Sequence, residues 1–145
     1  PHLEQAEQDA IAVGDTELRV KAMTSAALAA AELGRKDASK RLNAAAELAE
    51  RTGMSDEAGM AYARIAEVAT SLEARASAAR RALDLRGAQD AEAVYAMYSV
   101  AVDAYNDGDA ELALALADEI APNAGSLQEA VEGVRTAARA ALDEG

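Results

Sequence analysis

Catalysis by side chains requires a nucleophile or an acid–base pair held at a fixed separation, and this chain offers few residues for it. It contains no cysteine, and its one histidine is His2. A histidine acts as a general base only when a nucleophile lies within hydrogen-bond reach and a further group orients the ring. The sequence around His2 offers neither group, and no glycine-rich phosphate loop occurs elsewhere. We therefore expect no catalytic residue, no enzymatic activity and no cofactor.

An acidic segment that begins at Asp103 invites comparison with a metal site. A calcium-binding loop of the EF-hand type carries Asp or Asn at its third position and a bidentate Glu at its twelfth. Counted from Asp103, those positions hold Tyr105 and Leu114. We expect instead a helix end, a turn at Gly108 and a new helix capped by Asp109, and no metal ligand.

Adjacent carboxylates occur at three places, Asp56-Glu57, Asp118-Glu119 and Asp143-Glu144. A glycosidase-type pair needs two carboxylates that face each other across a substrate. Neighbouring residues of a helix do not face each other. These pairs therefore indicate solvated helix ends that complement the helix dipole, not an acid–base site.

Tyrosine is the only aromatic residue type with a six-membered ring in this chain, which has no phenylalanine or tryptophan. Its four copies are Tyr62, Tyr95, Tyr98 and Tyr105. A tyrosine ring supplies rigid contact area with a polar tip, and tyrosine is a frequent anchor of protein interfaces. Two interpretations stay open. The rings either anchor a partner, or they fill gaps between small residues as the largest side chains available.

Negative charge is concentrated in the second part of the chain. Residues 1–87 carry 14 acidic and 12 basic side chains, whereas residues 88–145 carry 12 acidic and 2 basic ones. Binding of phosphates requires clustered Lys and Arg, so we expect no nucleic-acid partner. The acidic surface either keeps the protein soluble or steers a cationic partner towards it.

Alanine and glycine define the elements that must position these residues. The chain has 41 alanines among 145 residues, and alanine is the best helix former. Gly34 and Gly108 each follow a helical stretch, where a left-handed residue ends a helix. Ser55 and Asp109 are placed to cap the helices that follow them. The predicted helices span residues 3–13, 15–33, 36–52, 55–69, 71–86, 89–107, 109–121 and 126–143.

These elements predict one all-α domain over residues 1–145, built as an antiparallel array of helix hairpins with about eight helices. Residues 3–13 form an orphan helix, residues 15–123 about three helix–turn–helix units, and residues 126–143 a capping helix. Because small residues let helices approach closely, we expect stability to come from the stacking of each unit on its neighbours.

The turns recur every 37 residues, at Gly34, Ser71 and Gly108. The unit from Tyr95 to Asn123 has a small residue in its first helix, a Gly-Asp turn and a proline near its end. This pattern resembles the tetratricopeptide repeat, a helix–turn–helix unit with a period of about 34 residues. The resemblance covers residues 15–123 and implies an α-solenoid.

The resemblance also implies a concave groove, lined by the first helix of each hairpin, in which partners bind. Counting back from each turn places the tyrosines on or near this face, with two acids beside them that attract positive charge. The partner-binding residues implied in this way are Tyr62, Tyr95, Tyr98, Val102, Tyr105, Asn106, Asp103 and Asp107.

We therefore expect a non-enzymatic module that binds a peptide or helix of a protein partner, a cationic one if the acids take part. Two alternatives stay open: a sensor or regulatory repeat domain of a larger bacterial transcriptional regulator, and a scaffold that self-associates as a homo-oligomer. No apolar run approaches the roughly 18 residues of a membrane span, and no signal segment opens the chain. We expect a cytoplasmic protein without membrane contact.

Overall fold

The computed structural model describes residues 4–5 and 16–144, and within them the chain is all-α and contains no strand. Two 3-10 turns, Ala121–Asn123 and Gly125–Leu127, lie between the last two helices. The helices are α1 (Thr16–Glu32), α2 (Ala38–Arg51), α3 (Ser55–Val68), α4 (Leu72–Arg86), α5 (Ala91–Asn106), α6 (Ala110–Ile120) and α7 (Gln128–Glu144). The all-α prediction is confirmed, and these seven helices lie within two residues of the predicted bounds. The predicted helix 3–13 lies outside the described residues, except for residues 4 and 5, which are helical.

Helices α1 and α5 end in the same left-handed turn. Gly34 and Gly108 have φ angles of 68° and 87°, a conformation that side chains with a Cβ rarely adopt. The amide of the residue after each glycine donates to a carbonyl oxygen of the preceding helix, over 3.0 Å at Arg35 and 2.8 Å at Asp109. The next helix therefore starts within a few residues, at Ala38 after the first turn and at Ala110 after the second, and runs back along the preceding helix.

Side-chain caps mark some helix starts but not all of the predicted ones. Asp109 accepts a hydrogen bond from the amide of Leu112 over 3.0 Å, as predicted. The predicted cap at Ser55 is wrong, because this residue is already inside α3 and the preceding Met54 makes no side-chain cap. Asp90 caps α5 and was not predicted, since no glycine directly precedes it.

The helices pack in two rows. Each helix contacts the next one along the chain, and α1, α3, α5 and α7 also contact one another in order. Helices α2, α4 and α6 each lie against the odd-numbered helices before and after them. Short turns join the helices, so neighbours run antiparallel and form an ordered array.

Alanine makes up most of the core. Of 35 buried apolar residues among those described, 25 are alanine. The largest fully buried side chains include Leu42, Met97 and Leu116, which lie on three different helices. Helices that meet through methyl groups approach closely, so many small contacts replace a few large ones.

Arg86 joins three elements at one corner of the array. Its guanidinium donates to both carboxylate oxygens of Asp90, over 2.9 and 3.2 Å, and to the backbone oxygen of Asp56 over 3.3 Å. Asp90 in turn accepts a hydrogen bond from the amide of Ala93 and so caps α5. The aliphatic part of Arg86 crosses α3 at buried Gly59, where no Cβ stands in its way.

Replacement of Gly59 by alanine is expected to lower the free energy of unfolding by roughly 1–3 kcal/mol, because overpacking forces side chains or backbone to shift. A Cβ at this position would lie 2.7 Å from Cδ of Arg86 and closer still to its Cγ. Gly133→Ala in α7 is the matched control, since its Cβ would meet nothing within 4 Å. Its gain in helix propensity should raise the free energy of unfolding by about 0.5–1 kcal/mol.

Urea denaturation of both variants, followed by circular dichroism, measures this difference. A Gly59→Ala variant as stable as Gly133→Ala would contradict the close fit between α3 and Arg86.

Candidate interaction surface

One face of α5 carries most of the residues predicted to bind a partner. Tyr95, Tyr98, Val102 and Asn106 follow one another at intervals of three or four residues, so they lie along one side of the helix. The Tyr95 side is open, with this residue 56% exposed, while Tyr98 and Val102 are half-buried. Tyr105, 39% exposed, lies at the margin. We call these five residues the tyrosine face.

Tyr95 and Tyr98 form a ring pair on this face. Their centroids are 6.3 Å apart and the ring planes are inclined by 50°, within the range of attractive aromatic contacts. Tyr98 packs against the main core cluster, which holds it in place. The pair therefore combines an inner ring fixed by the core with an outer ring that reaches solvent.

Helix α7, which contacts α5, carries a second partly exposed apolar stripe. Arg135 donates to Asp118 of α6 over 2.7 Å, so this side of α7 is turned towards α6. Away from that side, Ala130, Val134 and Ala137 follow at intervals of four and three residues, and all are half-buried. Val134 packs against the core cluster that also holds the inner ring of the tyrosine face. We call these three residues the alanine flank.

The alanine flank was not identified from the sequence. Its helical spacing is present in the sequence. Because alanine occurs on every face of these helices, however, this spacing does not distinguish the flank from the other faces. Only the ion pair to α6 and the packing of Val134 show which way the flank is turned.

A small cleft of ≈ 100 Å³ opens at the start of α5. Ala91 and Val94 line it from α5, and Asn123 and Leu127 line it from the connection to α7. Ala91 lies one helical turn before Tyr95 on the same side. The cleft therefore extends the apolar part of the tyrosine face towards the connection.

The two acids predicted to attract a partner differ in their surroundings. Asp103 forms an ion pair with Arg75, with 2.7 Å between Oδ2 and Nη2, and the same guanidinium donates a hydrogen bond to the backbone oxygen of Ala66 over 2.6 Å. Asp103 therefore joins α5 to α4 and α3. Asp107 is exposed directly after α5, beside exposed Asn106. Of the two acids, Asp107 is the one whose charge faces solvent at the end of the tyrosine face.

Tyr62 does not lie with the other tyrosines. Its hydroxyl donates to Glu50 of α2 over 2.6 Å, and Arg81 of α4 forms an ion pair with the same carboxylate. The Arg81 guanidinium first, and then the Tyr62 hydroxyl, lower the pKa of Glu50. Tyr62 therefore faces α2 and α4, and the expectation of a single face with all tyrosines is not met at this residue.

The turn after α3 explains the misplacement of Tyr62. Helices α1 and α5 end two residues before Gly34 and Gly108, whereas α3 ends three residues before Ser71. The connection passes through extended backbone at Ala69 and Ser71, with ψ angles of 150° and 147°. One residue turns a helix by about 100°. Counting back from Ser71 therefore assigned Tyr62 to the wrong side of α3.

With this one-residue correction, the side of α3 that corresponds to the tyrosine face carries Met60, Arg64 and Glu67. The guanidinium of Arg64 donates to Glu67 over 3.2 Å. The array thus presents an ion pair on α3 and aromatic rings on α5.

Two larger clefts, of ≈ 320 and ≈ 390 Å³, lie on the side of the even-numbered helices. Tyr62 is in the first of them. Ion pairs hold the helices together there: Arg81 with Glu50, and Arg80 with Glu119 of α6 over 3.0 Å. The two arginines that line these clefts, Arg80 and Arg81, are therefore neutralised by carboxylates of the chain itself.

Within the part of the chain that the structure describes, no three His, Asp or Glu side chains are grouped to hold a metal ion. No helix among these residues is long and apolar enough to cross a bilayer. Comparisons with protein-family models, with curated protein sequences and with solved structures each found no match. Function must therefore be inferred from the side chains and their geometry.

Burial, and secondly the hydrogen bond to Glu50, raise the pKa of Tyr62 from its ordinary value of 10.0 to about 12. A raised tyrosine pKa means that the neutral hydroxyl stabilises the fold below pH 10.0 and that this contribution is lost as the pH rises through about 12.

The difference in tyrosinate absorbance between wild type and Tyr62→Phe should therefore titrate near pH 12 while circular dichroism shows native helicity. In guanidinium chloride the same difference should titrate near 10. A native midpoint near 10 would contradict the partly buried hydrogen bond from Tyr62 to Glu50.

Proposed function

We propose that this protein is a non-enzymatic interaction module that holds a segment of a partner protein against α5 and α7. The observation that carries the proposal is the Tyr95–Tyr98 pair, whose outer ring is more than half exposed although the inner ring is fixed by the core. Rings held in this way lose little conformational freedom on binding, which favours them as interface anchors. The neighbouring alanine flank adds apolar area to the same surface.

The dimensions of the surface favour an elongated partner segment. The tyrosine face runs from Tyr95 to Asn106, eleven helical steps or about 16 Å. Three turns of a helix, or about five residues of extended chain, have this length. Small residues at Ala130 and Ala137 would let a backbone approach α7 closely. We therefore propose a peptide or helix as the bound segment.

We also propose that the hairpins are degenerate tetratricopeptide-like repeats. This proposal is supported by the turns near Gly34, Ser71 and Gly108, each of which lies between the two helices of a hairpin. It is supported as well by the row of contacts among α1, α3, α5 and α7. In this interpretation α5 is a first helix, and the tyrosine face is on the side where such repeats bind partners.

A photo-crosslinking amino acid at Ser99 would identify the partner, because this residue lies one turn beyond Tyr95 and leaves both rings intact. The same amino acid at exposed Ala115 on α6 is the control. A protein that crosslinks from Ser99 and not from Ala115 is then purified for binding measurements.

Replacement of Tyr95 by alanine is expected to weaken binding of that protein at least tenfold, about 1.4 kcal/mol, because the outer ring is a central anchor. Tyr98→Leu, which keeps apolar volume in the core, should weaken it less. Tyr62→Phe should leave the affinity unchanged, since Tyr62 faces α2 and α4. Isothermal titration calorimetry measures all three variants. Wild-type affinity in Tyr95→Ala with unchanged helicity would refute the proposed surface.

A further inference from the structure

We infer that Tyr95, Tyr98 and Glu92 form a seat for an arginine side chain of the partner segment. This inference rests on the proposed interaction at α5 and names the chemistry of its occupant. Three features carry it: the geometry of the ring pair, the position of one carboxylate beside it, and the distribution of the chain's own cations.

The ring pair leaves an aromatic surface open. Because the planes of Tyr95 and Tyr98 are inclined by 50° with centroids 6.3 Å apart, the rings are not stacked face to face. With Tyr95 56% exposed, its ring remains accessible to a ligand. A cation over a tyrosine ring is attracted by the negative charge of the ring face, and the planar guanidinium of arginine also stacks on it.

Glu92 lies one helical turn before Tyr95 and on the same side of α5. Its side chain is 49% exposed and approaches Nη2 of Arg86 only to 4.0 Å. Arg86 gives its short bonds, of 2.9 and 3.2 Å, to Asp90. The Glu92 carboxylate is therefore open to a further donor. A guanidinium that stacks on Tyr95 would donate a charge-assisted hydrogen bond to this carboxylate.

The arginines on the helices that contact α5 form ion pairs within the chain, and one of them, Arg86, approaches Glu92 to 4.0 Å beside its shorter bonds to Asp90. No Lys or Arg occurs between Arg86 and Arg135 in the sequence. Arg135 donates to Asp118 and to Glu132. On the neighbouring helices, Arg64 pairs with Glu67 and Arg75 with Asp103.

The charge of the surrounding surface favours the same occupant. Residues 88–145 carry 12 acidic and 2 basic side chains, so the field around α5 attracts a cation supplied by another molecule. Arginine fits better than lysine, because its fork of donors can bond a carboxylate while its plane lies on a ring.

Titration with N-acetylated hexa-arginine amide, followed by NMR of the aromatic side chains, tests the seat. The spectrum is simple, since the rings are four tyrosines and one histidine. The signals of Tyr95 and Tyr98 are expected to shift, and those of Tyr62 are expected to stay. Hexa-citrulline, which has the same shape without the charge, should shift none of them.

Two variants localise the binding. Tyr95→Leu, which keeps an apolar side chain, and Glu92→Gln are each expected to weaken hexa-arginine binding about fivefold. Glu47→Gln on α2 removes the same charge from an exposed position far along the array and should change the affinity less than about twofold. Equal losses in Glu92→Gln and Glu47→Gln, or no loss in Tyr95→Leu, would overturn the seat. Equally tight, Tyr95-dependent binding of hexa-lysine would overturn its assignment to arginine.

The inference and the proposed function fail separately. A crosslinked partner that needs Tyr95 but binds equally well to Glu92→Gln, together with unshifted tyrosine signals in hexa-arginine, overturns the seat and leaves the interaction surface standing. If hexa-arginine binds in a Tyr95-dependent way but no protein partner depends on Tyr95, the proposed interaction with a protein is overturned and the arginine seat stands.

Discussion

Contact between alanine side chains of neighbouring helices is the interaction on which the rest of this structure depends. Methyl groups bring the helices so close that few large side chains fit between them, and those few, such as Leu42 and Met97, are spread over different helices. Larger and polar side chains are therefore forced to the margins of each contact. The tyrosine pair on α5 is one result. Its inner ring packs against the core, while its outer ring lies more than half in solvent.

Close contact between methyl groups does not by itself select one register, because a helix with alanine on every face offers many similar contacts. Arginine side chains fix the register, because each bonds to particular residues of neighbouring helices. Arg75 reaches from α4 to a backbone oxygen of α3 and to the Asp103 carboxylate of α5. Arg86 likewise ends at the capping residue of α5 and crosses α3 where a glycine makes room for it. The basic residues of the first part of the chain are thus largely used inside the molecule, while the second part has few of them.

The sequence predicted the helices well and the faces of the helices less well, for one physical reason. Helix ends are local events, set by residues such as Gly34 and Asp109, and they can be recognised one at a time. A face depends on the count of residues from a reference point, and Ser71 lies one residue farther from its helix than the glycines do. That single residue moved Tyr62 to another side of α3. The alanine flank of α7 could not be predicted, because alanine occurs on every face of these helices and its spacing does not distinguish an exposed face from a buried one.

The alanine core also determines how the stability of this fold responds to temperature. The heat capacity gained on unfolding grows with the apolar area that becomes hydrated, and a methyl group exposes much less area than a leucine or phenylalanine side chain. Among the residues that the structure describes, 25 of the 35 buried apolar ones are alanine, so this core has a small heat-capacity change for its length. Enthalpy and entropy of unfolding then vary slowly with temperature, and the stability curve is broad and shallow, with cold denaturation displaced far from the temperature of maximum stability.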